Sequence, residues 1–174
     1  MFVKGTNQCF KIVVFDICFL LPAFFNTPAA ADFYEDFESG SLTNWVSDGT
    51  ATVVITATTS AEGSQSLYLY GGTGSPSGIH ANLPESQPTY VSFYIQPVTT
   101  SEHHCYVIIK NSSCGEVVRF YARANSNFQV YPSDNSYTYT PNTWYHIEIK
   151  NFDWSAKTYD YYVNGALIQF IDYW

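Results

Sequence analysis

Apolar and polar residues alternate with a period of two in many short stretches after residue 32. The clearest stretch is 145–150, where Tyr145, Ile147 and Ile149 alternate with three polar residues. Such alternation is typical of a β-strand with one buried face and one face in solvent. No stretch keeps apolar residues at helical spacing. The pattern therefore predicts antiparallel strands, with further examples at residues 67–70, 91–95 and 118–123.

Turn-forming residues separate these stretches at intervals of roughly a dozen residues. The strongest turn signal is the pair Asn164 and Gly165, which lies between the stretches 159–163 and 166–170. This pair favours a two-residue type I′ hairpin, because both central residues of that turn need positive φ. Roughly ten to twelve short strands are predicted in this way, which favours an antiparallel β-sandwich or a jelly roll.

Residues 1–31 have the features of a secretory signal peptide. Lys4 and Lys11 precede the apolar residues 12–25, and alanines occupy positions 29–31. Cleavage before Asp32 would leave 32–174 as one β-sandwich domain, secreted or held at the cell surface. The alternative is an uncleaved membrane anchor, but an apolar stretch of about 14 residues is shorter than the roughly 20 that span a bilayer. We therefore expect a protein that does not span the membrane after cleavage.

Composition and charge narrow the classes of function. Tyr (15), Phe (13) and Trp (4) make up 18% of the chain, an aromatic content typical of β-sheets and of sugar-binding surfaces. The formal net charge is -8 with only seven Lys and Arg residues. Binding to nucleic acid needs a basic surface that displaces counterions, so this charge argues against nucleic acid as a partner.

The predicted mature domain has two cysteines, Cys105 and Cys114. One expectation is a disulfide between them, worth ~3 kcal/mol in the chain-entropy model. The alternative is two separate thiols, because Cys105 begins a predicted strand and Cys114 lies in the following turn, too far apart along the strand for a bridge.

Several motifs together resemble the concanavalin A-like, or laminin G-like, jelly-roll family. They are residues 35–40, Trp45, and the stretches 62–69, 142–149, 153–154 and 157–165. The resemblance implies a jelly-roll β-sandwich, and the family includes lectins, glucanases, adhesive modules and exported proteins of no known activity. Domains of this kind commonly continue past the Asn-Gly hairpin with one more strand. One expectation is therefore that a final C-terminal strand is missing from this chain.

Catalytic patterns are absent from the sequence. Retaining glucanases of this fold share a Glu-x-Asp-x-x-Glu strand, which this chain lacks, and there is no Gly-x-Ser-x-Gly elbow. The nearest carboxylate pair is Asp36 and Glu38, predicted to lie on one face of an edge strand, where acidic side chains commonly prevent aggregation. His103 and His104 match no zinc motif. We therefore expect that this protein is not an enzyme.

Carboxylates near the start of the mature domain suggest a structural calcium site. Calcium prefers hard oxygen ligands, and carboxylate and carbonyl oxygens from Asp36, Glu38 or Asp48 would supply them together with an Asp from a distant loop. No local calcium-binding loop such as an EF-hand is present, so the expectation depends on the fold bringing these residues together.

Outward-facing aromatic side chains are the candidates for ligand binding. An exposed ring stacks on the C–H face of a sugar, while neighbouring polar groups bond its hydroxyls. The alternative is that cross-strand tyrosines only stabilise the sheet. Three functions are considered. The first is a non-catalytic carbohydrate-binding or adhesive module whose partner is a polysaccharide or glycoconjugate. The second is a structural protein-interaction domain, and the third is a divergent glycan-active enzyme. Alternation places the ligand candidates outward, with Arg119 and Tyr121 first, then Arg123, Tyr94, Tyr68 and Tyr70.

Overall fold

The computed structural model describes residues 2–4, 13–16, 33–72, 77–82, 87–100, 105–111 and 114–172, the first two segments by their backbone only. These residues form fourteen strands and no helix, so none of them makes a helix that could cross a membrane. The strands are β1 (Phe2–Lys4), β2 (Val13–Asp16), β3 (Val46–Asp48), β4 (Thr52–Thr56), β5 (Ser66–Tyr70), β6 (Gly78–Asn82), β7 (Tyr90–Gln96), β8 (Cys105–Lys110), β9 (Glu116–Ala122), β10 (Asn127–Tyr131), β11 (Ser136–Thr138), β12 (Tyr145–Asp153), β13 (Thr158–Val163) and β14 (Ala166–Ile171).

The strands form two sheets of seven. The first sheet has the order β14-β13-β12-β7-β1-β5-β4, and the second has the order β11-β10-β9-β8-β2-β6-β3. All pairings among β3 to β14 are antiparallel. The predicted all-β fold is confirmed, and the twelve strands after residue 33 agree with the predicted number.

The inward faces of the two sheets contribute to one hydrophobic cluster. Phe120 of the second sheet contacts two rings of the first, with centroids 5.3 Å from Phe93 and 6.2 Å from Tyr161. Ile147 and Ile149 are fully buried, as the alternation of β12 predicts. The molecule is therefore arranged as a β-sandwich, since both sheets bury one face against the other.

The predicted Asn-Gly hairpin joins β13 to β14. Val163 and Ala166 are partners across it, and the two turn residues have φ of 49° at Asn164 and 77° at Gly165. The side-chain amide oxygen of Asn164 also accepts the backbone N–H of His146 at 2.8 Å. This contact anchors the hairpin to β12, which the local sequence did not indicate.

β1 and β2 lie in the middle of the sheets, although both fall in the predicted signal peptide. β1 runs parallel to β5 and β7, and β2 runs parallel to β6 and β8. The predicted cleavage site at residues 29–31 lies outside the described residues, and cleavage stays a prediction. The pairing shows that each sheet has room for one strand that does not come from residues 33–172.

Two local predictions are wrong. The segment from Asp36 to Glu38 forms a turn rather than a strand, with Phe37 at a φ of 64°. Carboxylates in and just before this segment accept hydrogen bonds from nearby backbone groups. Glu35 accepts the N–H of Phe37 at 2.8 Å, and Asp36 accepts that of Glu38 at 3.0 Å. Such bonds compete with strand pairing.

The disulfide is the second wrong prediction. Within the described residues Cys105 and Cys114 are not joined by a disulfide. Cys105 is buried at the start of β8, while Cys114 is exposed in the turn beyond the other end of that strand. The length of β8 therefore separates the two thiols. This agrees with the alternative expectation of two separate thiols.

Candidate functional site

The first candidate pair lies on the outward side of the second sheet. The guanidinium of Arg119 pairs with the carboxylate of Glu116 and donates to the Tyr121 hydroxyl at 3.2 Å. The hydrogen bond to Glu116 is the largest of the causes that raise the pKa of Arg119. Arg123 places its guanidinium carbon 5.2 Å from the Tyr121 ring centroid, and Tyr106 meets the ring edge-on at 4.9 Å.

These neighbours cover the Tyr121 ring, which is only 8% exposed. A sugar needs an open ring face for stacking, and the Tyr121 ring has none. The prediction that Tyr121 offers such a face is therefore wrong, although the residue lies on the predicted side of its strand. Alternation along one strand fixes the direction of a side chain but not the cover supplied by adjacent strands.

Two further candidates, Tyr68 and Tyr70, lie on the outward side of β5. Their ring centroids are 5.1 Å apart at an interplanar angle of 41°. Tyr70 is exposed and Tyr68 is half-buried. The two rings form a small aromatic pair near β4, which is the edge of the first sheet.

The three proposed calcium ligands are not brought together. The Glu38 carboxylate accepts the backbone N–H groups of Ser64 at 2.8 Å and Gln65 at 2.6 Å, so it caps that turn. Asp48 binds the Nδ1 of His80 at 2.6 Å. No group of three metal-ligating side chains occurs in the described parts of the chain. These side chains therefore have other partners in the structure, and the calcium site stays a prediction.

A larger polar and aromatic surface lies on the outward side of the first sheet, across β7, β12 and β13. The register places Lys150 opposite both Tyr90 and Asp160, and Glu148 opposite Tyr162. We call this surface the tyrosine face; it comprises Tyr90, Tyr94, His146, Glu148, Lys150, Asp160 and Tyr162.

An ion pair occupies the centre of the tyrosine face. The Nζ of Lys150 donates to Glu148 Oε1 at 2.9 Å, and the hydroxyl of Tyr90 donates to the same oxygen at 3.4 Å. Lys150 also lies 4.0 Å from the centroid of the Tyr162 ring. Burial acts to raise the pKa of Glu148, but the hydrogen bond and charge of Lys150 outweigh it, so this pKa lies below its ordinary value. Glu148 is therefore ionised at neutral pH.

The rings of this surface differ in exposure. The Tyr90 side chain is 48% exposed, although its hydroxyl is held by Glu148. Tyr94 stacks on His146 with centroids 4.5 Å apart and donates its hydroxyl to Glu62 at 2.8 Å. Burial, followed by that hydrogen bond, raises the pKa of Tyr94. Tyr90 thus offers an open ring beside fixed polar groups, whereas Tyr94 is held between neighbours.

The three described tryptophans, Trp45, Trp144 and Trp154, have structural contacts. The indole N–H of Trp45 donates to Glu35, that of Trp144 to Thr59 and that of Trp154 to the Pro88 carbonyl, each at 3.1 Å. Each N–H is used to tie a loop to the sandwich. Among the described residues, the exposed aromatic side chains are therefore four tyrosines and Phe170 rather than tryptophans.

The sequence did not identify the centre of this site. Glu148 and Lys150 stood out only as two of the polar residues that alternate with apolar ones in 145–150, and Tyr90 was not among the six ligand candidates. The missing information is the register, since β7 and β13 become neighbours of β12 only in the folded sheet. His103 and His104, weighed as metal ligands, lie outside the described residues.

Comparison with known proteins adds no assignment: no protein-family model matches the chain, and no curated protein or solved structure matches it. The resemblance to the concanavalin A-like family rests on the motifs alone.

Proposed function

We propose that this protein is an exported, non-catalytic module with a jelly-roll β-sandwich that binds carbohydrate or mediates adhesion at the outside of the cell. The observation that carries the proposal is the exposed Tyr90 ring beside the Glu148–Lys150 pair. The partner would be a polysaccharide or glycoconjugate that lies across β7, β12 and β13.

The geometry of the tyrosine face suits a sugar. Adjacent strands lie roughly 4.8 Å apart, so groups on neighbouring strands can meet successive hydroxyls of one pyranose ring. Tyr90 supplies an apolar ring face, and the half-buried side chains of Lys150 and Asp160 supply a donor and an acceptor. Both groups have protein partners before a ligand arrives, Lys150 in Glu148 and Asp160 in Asn151, which lowers the entropic cost of binding. Glu148 is only 9% exposed, so it positions Lys150 and Tyr90 rather than offering its carboxylate to a ligand.

The state of Glu148 favours binding over hydrolysis. A glycosidase needs one carboxyl group that stays protonated near neutral pH to act as general acid. The contact with Lys150 instead keeps the pKa of Glu148 low. We therefore propose no catalytic role for this face.

A protein-interaction role is the second candidate, favoured by the edge strand β14. Leu167 is 56% exposed and Phe170 is 57% exposed, and they lie opposite Tyr162 and Asp160 in the register. Exposed apolar side chains beside a polar surface are a feature of protein contacts. This role predicts that substitution at Phe170 affects binding of the partner and substitution at Tyr90 does not.

Affinity for polysaccharides tests the proposal. The wild-type protein is screened for retention on immobilised polysaccharides, and Tyr90→Ala is compared with Tyr34→Ala, which removes a 77% exposed ring outside the strands. Loss of a stacking ring is worth about 1–2 kcal/mol, so Tyr90→Ala should weaken affinity roughly tenfold and Tyr34→Ala should not. Equal affinities of the two variants, or no retention of the wild type by any glycan, would contradict the proposal.

A further inference from the structure

Each sheet is joined at its middle by one strand from the amino-terminal segment. In the described residues, β5 and β7 pair only through β1, and β6 and β8 pair only through β2. Each sheet therefore consists of a four-stranded antiparallel block and a two-stranded block. Without β1 and β2, the strands on both sides of each junction would have unpaired backbone groups, a costly state if buried.

The register defines what fits at these junctions. Val13 is level with Ile79 and Val107, and Phe15 is level with Ala81 and Ile109. All four neighbours are at most 2% exposed. Since side chains alternate along a strand, an occupant needs apolar residues at every second position, here 13 and 15.

The first sheet repeats this requirement. Val3 is level with Leu67 of β5 and Ile95 of β7, both of which are buried in the core. The two junctions thus call for the same kind of strand.

We propose that the two junctions are acceptor sites for an extended strand, and that in the exported protein a partner polypeptide with apolar residues at alternate positions occupies them. The inference rests on the proposed export, because loss of residues 1–31 removes β1 and β2. Every strand of residues 33–172 already has a place in the sheets. These strands are therefore not free to fill a junction, and the proposed partner binds there through main-chain hydrogen bonds on both sides.

A peptide with the sequence of the strand already seated there is the direct probe. The exported chain that begins at Asp32 is mixed with a synthetic peptide of residues 11–18 that carries Cys18→Ser. Amide hydrogen exchange in residues 79–82 and 107–110 is then measured with and without peptide. We expect exchange there to slow by about tenfold or more at saturation, because paired amides must open before they exchange.

Two altered peptides serve as matched controls. Val14→Pro removes a backbone donor and is poorly tolerated inside a sheet. A peptide with Val13→Asp and Phe15→Asp keeps the backbone donors but puts charges at the two positions level with the core. Neither peptide should slow exchange. If the domain is unfolded alone, the original peptide should fold it and the controls should not.

Several results would overturn the proposal. They are equal protection by all three peptides, no protection by the original peptide, and a domain that stays unfolded in its presence. Amides of β6 and β8 that exchange as slowly in the exported chain alone as in the uncleaved chain would show that the junction closes without a partner. An exported chain whose mass still includes residues 1–31 would overturn both the predicted cleavage and this inference. Retention on polysaccharide is a separate measurement. A chain that binds glycan but does not bind the peptide would contradict the acceptor sites and leave the proposed glycan binding intact.

Discussion

Two tyrosines show how differently residues with the same sequence pattern can be placed. Tyr90 and Tyr121 both lie on the outward side of a strand, yet Tyr90 is 48% exposed and Tyr121 only 8%. The difference comes from Tyr106 and Arg123, which cover the Tyr121 ring. Tyr121 therefore contributes to packing, while Tyr90 is available to a ligand.

Substitution of Tyr121 should lower stability. Tyr121→Ala removes a buried ring and its contacts, so we expect the free energy of unfolding to fall by about 2–4 kcal/mol. Tyr121→Phe keeps the ring and loses one hydrogen bond from Arg119, which is worth about 1 kcal/mol. Urea denaturation measures both. A Tyr121→Ala variant as stable as the wild type would show that the ring is not packed as described.

Glu38 is a second residue with a role that its sequence context did not reveal. Its carboxylate accepts the Ser64 hydroxyl at 2.5 Å and the backbone N–H groups of Ser64 and Gln65. The side-chain hydrogen bond of Ser64, followed by these backbone bonds, lowers the pKa of Glu38 below its ordinary value. The ionised form is therefore favoured in the folded protein.

The lowered pKa of Glu38 predicts a dependence of stability on pH. Its contribution is fully present above the unfolded value near 4.5 and is lost as pH falls through the lower folded value. The difference in urea midpoint between wild type and Glu38→Gln should thus be constant near neutral pH and shrink below pH 4.5. A difference that stays constant through acid pH would mean that the charge is not involved.

At the scale of elements, two turns contain glycines with similar backbone angles but different surroundings. Gly63 has a φ of 64° and Gly165 a φ of 77°. A Cβ at Gly165 would meet no atom within 4 Å, whereas one at Gly63 would lie 2.6 Å from Glu38 Oε1. The first turn is therefore restricted by a neighbour as well as by its own conformation.

Alanine at these two glycines should separate the two effects. Gly165→Ala should cost about 1–2 kcal/mol from backbone strain alone. Gly63→Ala should cost more, because Glu38 must move and lose its bonds to the turn. In a Glu38→Ala background this additional loss of stability should disappear. Thermal denaturation of Gly165→Ala, Gly63→Ala, Glu38→Ala and the Gly63→Ala/Glu38→Ala double variant would measure it. An excess that persists without the Glu38 side chain would contradict the contact.

The elements were the part of the structure that the sequence predicted best. Alternation in β12 identified Ile147 and Ile149 as core residues, and the Asn-Gly pair identified the β13–β14 hairpin, since both signals are local. The turn at Asp36 was missed because side-chain bonds to the backbone replaced strand pairing there. The pairing of Glu148 with Tyr90 was missed because no local pattern specifies which distant strands become neighbours.

At the scale of the whole molecule, the two outward faces differ in how far their tyrosines are exposed. On the second sheet, Arg119, Tyr121 and Arg123 contact one another and cover the surface. On the first sheet, Tyr90 is exposed beside the ion pair of the tyrosine face. The net charge of the chain, -8, argues against nucleic acid as the ligand. We therefore propose that the first sheet binds the ligand, whereas the outward residues of the second sheet serve in packing.

The most direct test is to locate a bound oligosaccharide. The glycan with the strongest retention is added at saturation, and amide exchange is compared strand by strand with the ligand-free protein. We predict slower exchange in residues 90–94, 146–150 and 160–162, with no change in β9 and β10. Protection confined to the second sheet, or none at saturating ligand, would contradict the assignment of glycan binding to the tyrosine face.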